Sequence, residues 1–122
     1  MRAKESREMY LEVILKLEER NGIVRSIDIA KELNYSKPSV SRAMTVLKKE
    51  NYITHSPYGD VSLTEEGRAK AESVYKSHRL LTEFLVKSVG LDWGIAEQDA
   101  CKIEHVISQE ALDAIEQYLS EN

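Results

Sequence analysis

Apolar positions recur along the chain mostly at helical spacing, and only one short region alternates. From Lys4 to about Asn21, Met9, Leu11, Val13, Ile14, Leu15 and Leu17 line one side, with charges between them. That is the period of an amphipathic helix, and Asn21-Gly22 is its stop signal. Ser26 is placed to cap a short helix carrying Ile27, Ile29, Ala30 and Leu33. After the turn Asn34-Tyr35-Ser36, Ser36 caps a helix from Lys37 to about Glu50, with Pro38 in its first turn, where a missing N–H costs nothing. Val40, Ala43, Met44 and Leu47 form its inward stripe; Ser39, Ser41, Arg42, Thr45 and Lys48 face outward.

The alternating region comes next. Asn51–His55 and Val61–Leu63 read as two strands around the break Ser56-Pro57-Tyr58-Gly59-Asp60. Thr64 then caps a long helix from about Glu65 to Val89, ended by Gly90. Asp92 is placed to cap a helix from about Gly94 to Ile107, and Ser108 a last one with Leu112, Ile115 and Leu119 on one face. The order α-α-α-β-β-α-α-α predicts a mainly α protein. Residues 1–70 form an N-terminal winged helix-turn-helix, three helices plus a two-stranded wing. Residues 71–122 form a helical domain with too little chain for an independent core, which would gain by pairing with a second copy. A homodimer would set two recognition helices about 34–36 Å apart, the spacing that reads a palindrome in double-stranded DNA.

Charge sharpens this picture. The net charge of the 122 residues is −4, which alone argues against nucleic acid. Residues 1–63, however, hold 11 Lys+Arg against 9 Asp+Glu, and residues 64–122 hold 6 against 12. The first half suits phosphate and the second suits cations. The single cysteine excludes an intrachain disulfide and fits a reducing cytoplasm. There is neither an apolar run long enough to span a membrane nor an apolar stretch behind the N-terminus of signal-peptide type, so no membrane partner is expected.

Two sets of residues carry candidate chemistry. Ser36, Lys37, Pro38, Ser39, Ser41 and Arg42 open the second helix of the helix-turn-helix. The hydroxyls and Lys37 suit phosphates, Pro38 a thymine methyl, and Arg42 a guanine edge. Within the Gly94–Ile107 helix, Cys101, Glu104 and His105 stand at i, i+3 and i+4, so a thiol, a carboxylate and an imidazole share one face. A helical Glu–His pair beside a small buried cysteine is the plainer reading of those residues.

The chain resembles the diphtheria-toxin-repressor family of metal-dependent transcriptional regulators over almost its full length. The matching motifs are Glu8-Met9-Tyr10-Leu11, Asp28-Ile29-Ala30, Ser36-Lys37-Pro38-Ser39-Val40-Ser41, Leu63-Thr64-Glu65-Glu66-Gly67-Arg68, His78-Arg79-Leu80-Leu81, Gly90-Leu91-Asp92 and Asp99–Val106. The architecture resembles the short two-domain members, like the manganese transport regulator. The resemblance implies a repressor of metal-uptake genes that binds its operator when a divalent ion is present. It implies that Met9, Cys101, Glu104 and His105 belong to the primary metal site of iron-type members. It assigns Glu12 to a ligand position of the manganese branch, and His78 to a ligand in both. Two positions depart from the pattern: Thr82 stands where both branches have glutamate, and Glu97 where the iron type has a histidine. Thioether and thiolate donors favour Fe(II) over Mn(II), with Mn(II) as the alternative and Co(II), Ni(II) or Zn(II) able to substitute. The competing reading is a winged-helix regulator answering another ligand or none. An enzyme is not expected, because Cys101 and His105 come with no oxyanion element.

Overall fold

The computed structural model describes the backbone of residues 3–122 and the side chains of residues 6–122. Met1 and Arg2, with which the expected first domain begins, lie outside the described residues. The chain divides into two compact units, Met1–Glu72 and Ser73–Asn122.

In the first unit, α1 (Ala3–Asn21) buries Leu11, Ile14, Leu15 and Leu17, and Gly22 ends it at φ +82°. There follow β1 (Val24–Arg25), α2 (Ser26–Leu33), α3 (Lys37–Lys49), β2 (Ile53–His55), β3 (Asp60–Leu63) and the start of α4 (Glu65–Lys87). Ile29 from α2, and Val40, Met44 and Leu47 from α3, close the core over α1 and are almost fully buried. The α2–α3 turn works because Asn34 takes the left-handed conformation (φ 57°, ψ 42°), which asparagine tolerates better than most residues. The Tyr35 N–H then returns to the Ala30 carbonyl at 3.0 Å. The Ser36 hydroxyl accepts from the Ser39 N–H at 3.3 Å, which starts α3 as expected.

Two expectations for this unit need correction. The sheet has three antiparallel strands in the order β1-β3-β2, not two. Val24 pairs with Val61 and Arg25 with Asp60, and the Arg25 guanidinium reaches the Asp60 carboxylate at 3.2 Å. The chain leaving Gly22 is extended and buries Val24 while exposing Arg25, so it fills the open edge of β3. The cap of α2 also differs. Arg25, not Ser26, occupies the cap position, and its N–H donates to the Asp28 carboxylate at 3.0 Å.

At the wing base, the Thr64 N–H donates to the Tyr52 carbonyl at 3.0 Å, and the Thr64 hydroxyl donates to the Asn51 carbonyl at 2.8 Å. That hydroxyl oxygen also accepts from the Gly67 N–H at 2.9 Å, so Thr64 caps α4 and ties it to the chain entering β2. Gly67 packs so closely that a Cβ built there would lie 1.9 Å from the Tyr52 carbonyl oxygen.

The second unit holds the rest of α4, then α5 (Trp93–Ile103) and α6 (Gln109–Glu121). Leu81, Ala100 and Leu112 centre its core, with Ile103, Ile107 and Ile115 packed around them. Ala96 and Ala100 are fully buried, small enough to let helices approach closely. Phe84 and Tyr118 meet edge to face at 5.8 Å. The expected caps are present: Asp92 accepts from the Gly94 N–H at 3.1 Å, and the Ser108 hydroxyl from the Ala111 N–H at 3.1 Å. The expected Gly94–Ile107 helix is shorter at its far end. It stops at Ile103, whose carbonyl accepts from the Val106 and Ile107 N–H groups at 3.0 and 2.9 Å, and the chain turns toward α6.

Candidate metal centre and DNA-reading helix

The end of α5 decides how its polar groups point. The Glu104 N–H still donates to the Ala100 carbonyl at 2.9 Å, so Glu104 is the cap residue of a helix whose inner face is alanine. Its carboxylate is fully enclosed and lies between two imidazoles. Oε2 is 2.8 Å from His78 Nδ1, and Oε1 is 3.3 Å from His105 Nε2. The side chains of His78, Glu104 and His105 are 11%, 0% and 8% exposed. Glu104 Oε1 accepts no hydrogen bond from any described residue. His78 sits on α4 one turn before Thr82, whose buried hydroxyl donates to the His78 carbonyl at 2.8 Å. Thr82 therefore spends its polar group on its own helix, and the sequence offers no glutamate in its place.

A buried carboxylate with an oxygen lacking a donor, between two imidazoles, is a costly arrangement for a core. It is the donor set that a first-row divalent ion accepts, nitrogen and oxygen together. The residues present therefore fit a transition metal.

Cys101, three residues before Glu104, is exposed. Met9 and Glu12 stand one turn apart on α1; Glu12 is buried, and Met9 is half-buried. Met9 Sδ accepts from the Tyr35 hydroxyl at 3.8 Å. Sequence reasoning passed over Tyr35, and nothing local could have found it, because the two residues are 26 positions apart.

On the DNA-reading side, Ser36, Lys37, Pro38, Ser41 and Arg42 are exposed and Ser39 is half-buried. The hydroxyls of Ser36 and Ser39 are bonded to each other at 2.8 Å within the cap. The outward row of α3 is thus Lys37, Ser41, Arg42 and Thr45, with Val46 also 46% exposed beside it. Tyr58 stands almost fully exposed at the wing tip.

Two family profiles match the chain. The profile described as iron dependent repressor, N-terminal DNA binding domain, covers residues 3–61. The profile described as iron dependent repressor, metal binding and dimerisation domain, covers residues 64–122. The diphtheria toxin repressor of Corynebacterium efficiens is 37% identical over 103 residues, 84% of this chain. The chain belongs to the iron-dependent repressor family. An uncharacterised HTH-type transcriptional regulator of Methanocaldococcus jannaschii is 33% identical over 116 residues, and this iron-dependent repressor family member covers 93% of its length. By contrast, the chain spans 45% of the corynebacterial relative. Among solved structures, a manganese-dependent transcriptional repressor in complex with manganese superposes with a TM-score of 0.86 at 29% identity, covering 93% of this chain and 52% of that one. Within the iron-dependent repressor family, α3 falls in the profile named for DNA binding. His78, Glu104 and His105 fall in the one named for metal binding and dimerisation.

Proposed function

We propose that this protein is a metal-dependent transcriptional repressor, a cytoplasmic homodimer that binds a palindromic operator near metal-uptake genes when a divalent ion is bound. Residues 1–70 supply the DNA-binding domain, and residues 71–122 the metal-binding and dimerisation domain. The observation that carries this reading is the enclosed His78–Glu104–His105 cluster. His78, Glu104 and His105 hold the ion, and Met9, Glu12 and Cys101 complete the ligand set. A bound divalent ion supplies the positive charge that the Glu104 carboxylate lacks. Both imidazoles coordinate through a ring-nitrogen lone pair. Ligands drawn from both α1 and the second domain let occupancy favour one arrangement of the chain over others. A coupling of roughly 1–3 kcal/mol would change operator affinity by about 5–150-fold.

Imidazole and carboxylate admit Mn(II) as well as Fe(II); the Met9 thioether and Cys101 thiolate tip the choice to Fe(II). A DNA-binding titration against anaerobic Fe(II), Mn(II) and Zn(II), with a chelator control, tests both parts. Equal binding in chelator and in metal would refute the sensor; tight binding with Mn(II) but not Fe(II) would refute the iron assignment.

Arg42, exposed on α3, reads a base in this account. Arg42→Ala should cost about 1–3 kcal/mol on the preferred operator and relax sequence preference at one position. A uniform loss across sequences with a flatter salt dependence would make it a phosphate contact instead.

A further inference from the structure

We infer that Tyr35 is a positioning residue for the metal site, acting through the Met9 thioether. The inference rests on the reading of Met9 as a ligand. A methionine side chain is unbranched and samples many rotamers, so a thioether ligand must be held if it is to wait in place. Here the Tyr35 hydroxyl donates to Met9 Sδ at 3.8 Å. Thioether sulfur has two lone pairs; the O–H takes one, and the other is left to point elsewhere. Tyr35 is itself fixed from three sides. Asn34 before it holds the left-handed turn, and its own N–H is bonded to Ala30. Its ring meets the buried Tyr10 ring edge to face at 6.2 Å and 72°. Burial, and then the neighbouring Tyr35, push the Tyr10 phenol above its ordinary value, so the supporting ring stays neutral across physiological pH.

Outer groups of this kind orient a ligand and tune its donor strength, and their loss typically costs 10–100-fold in metal affinity. Tyr35 also immediately precedes Ser36, the cap of α3. The same side chain therefore touches a proposed ligand and belongs to the turn from which the reading helix starts. The hydroxyl bears on a soft ion that uses the thioether, and much less on one bound through nitrogen and oxygen alone.

The test is a double-mutant cycle with Tyr35→Phe, which keeps the ring on Tyr10, and Met9→Leu. Co(II) and Mn(II) affinities of the full chain are measured by competition with a chelating dye. Tyr35→Phe should weaken Co(II) binding about tenfold, weaken Mn(II) binding less, and have no effect in the Met9→Leu background. DNA affinity in chelator should match that of the unmodified protein, which a purely structural role for Tyr35 would not preserve. The inference is overturned if Tyr35→Phe leaves the Co(II)-to-Mn(II) ratio unchanged, or changes it equally with leucine at position 9. If Met9→Leu alone leaves Co(II) binding intact, Met9 is no ligand and the proposed ligand set falls with the inference. If Met9→Leu weakens Co(II) and Tyr35→Phe does not, only the inference falls.

Discussion

Glu104→Ala is expected to eliminate the gain in operator affinity that metal confers. The carboxylate is the group both imidazoles face, at 2.8 and 3.3 Å, and it is wholly shielded from water. Removing a neighbour of a ligand costs 10–100-fold in metal affinity, so if Glu104 is a ligand, as proposed, its removal should cost more than about 100-fold. Alanine also takes from His78 Nδ1 its 2.8 Å partner, at about 1–3 kcal/mol of stability. Glu104→Gln separates the two effects. The amide keeps the volume and an acceptor but not the charge, so it should fold nearly as well and still lose most metal binding. Chelator competition for affinity, thermal melting for stability, and DNA anisotropy with and without metal read all three quantities. An alanine variant that still responded to metal would remove Glu104 from the site.

The largest stability effect is expected at Gly67, where alanine should be worse despite being the better helix former. Intrinsic propensity favours alanine inside a helix by about 1 kcal/mol. Against that, the new Cβ would meet the Tyr52 carbonyl oxygen at 1.9 Å and its carbon at 2.8 Å. These are backbone atoms, held by the Thr64 N–H and hydroxyl at 3.0 and 3.1 Å, so no side chain can swing aside. Either α4 or the chain entering β2 must move. Overpacking commonly costs about 1–3 kcal/mol, and a rigid clash belongs at or above the top of that range. The first domain should melt roughly 10–20 °C lower on that account. A melting point within about 2 °C of the unmodified protein would mean that the wing junction is looser than its hydrogen bonds indicate.

Features settled by neighbours in the sequence were legible. Ser36, Thr64, Asp92 and Ser108 were all readable as caps, because a cap bonds to a backbone N–H two or three residues away. Ser26 misled for a related reason. It has the right side chain, but Val24-Arg25 was drawn into the sheet, and Asp28 served the helix start. A strand of two residues is too short to show alternation, so β1 left no pattern. At the end of α5, Val106 and Ile107 prolong the apolar spacing past the point where the backbone turns. The site was legible only in part. His78 and Glu104 are 26 residues apart, and their pairing is a product of tertiary packing. It was the resemblance, not the spacing, that put them in one set. The contact of Tyr35 with Met9 had neither source.

The three-strand sheet has a bearing on solubility. β3 is bonded on both sides, and the outer edges belong to strands of two and three residues. An edge so short offers too few backbone groups to recruit a strand from another molecule. Two copies brought side by side on one stretch of DNA would therefore run little risk of edge-to-edge aggregation through their wings.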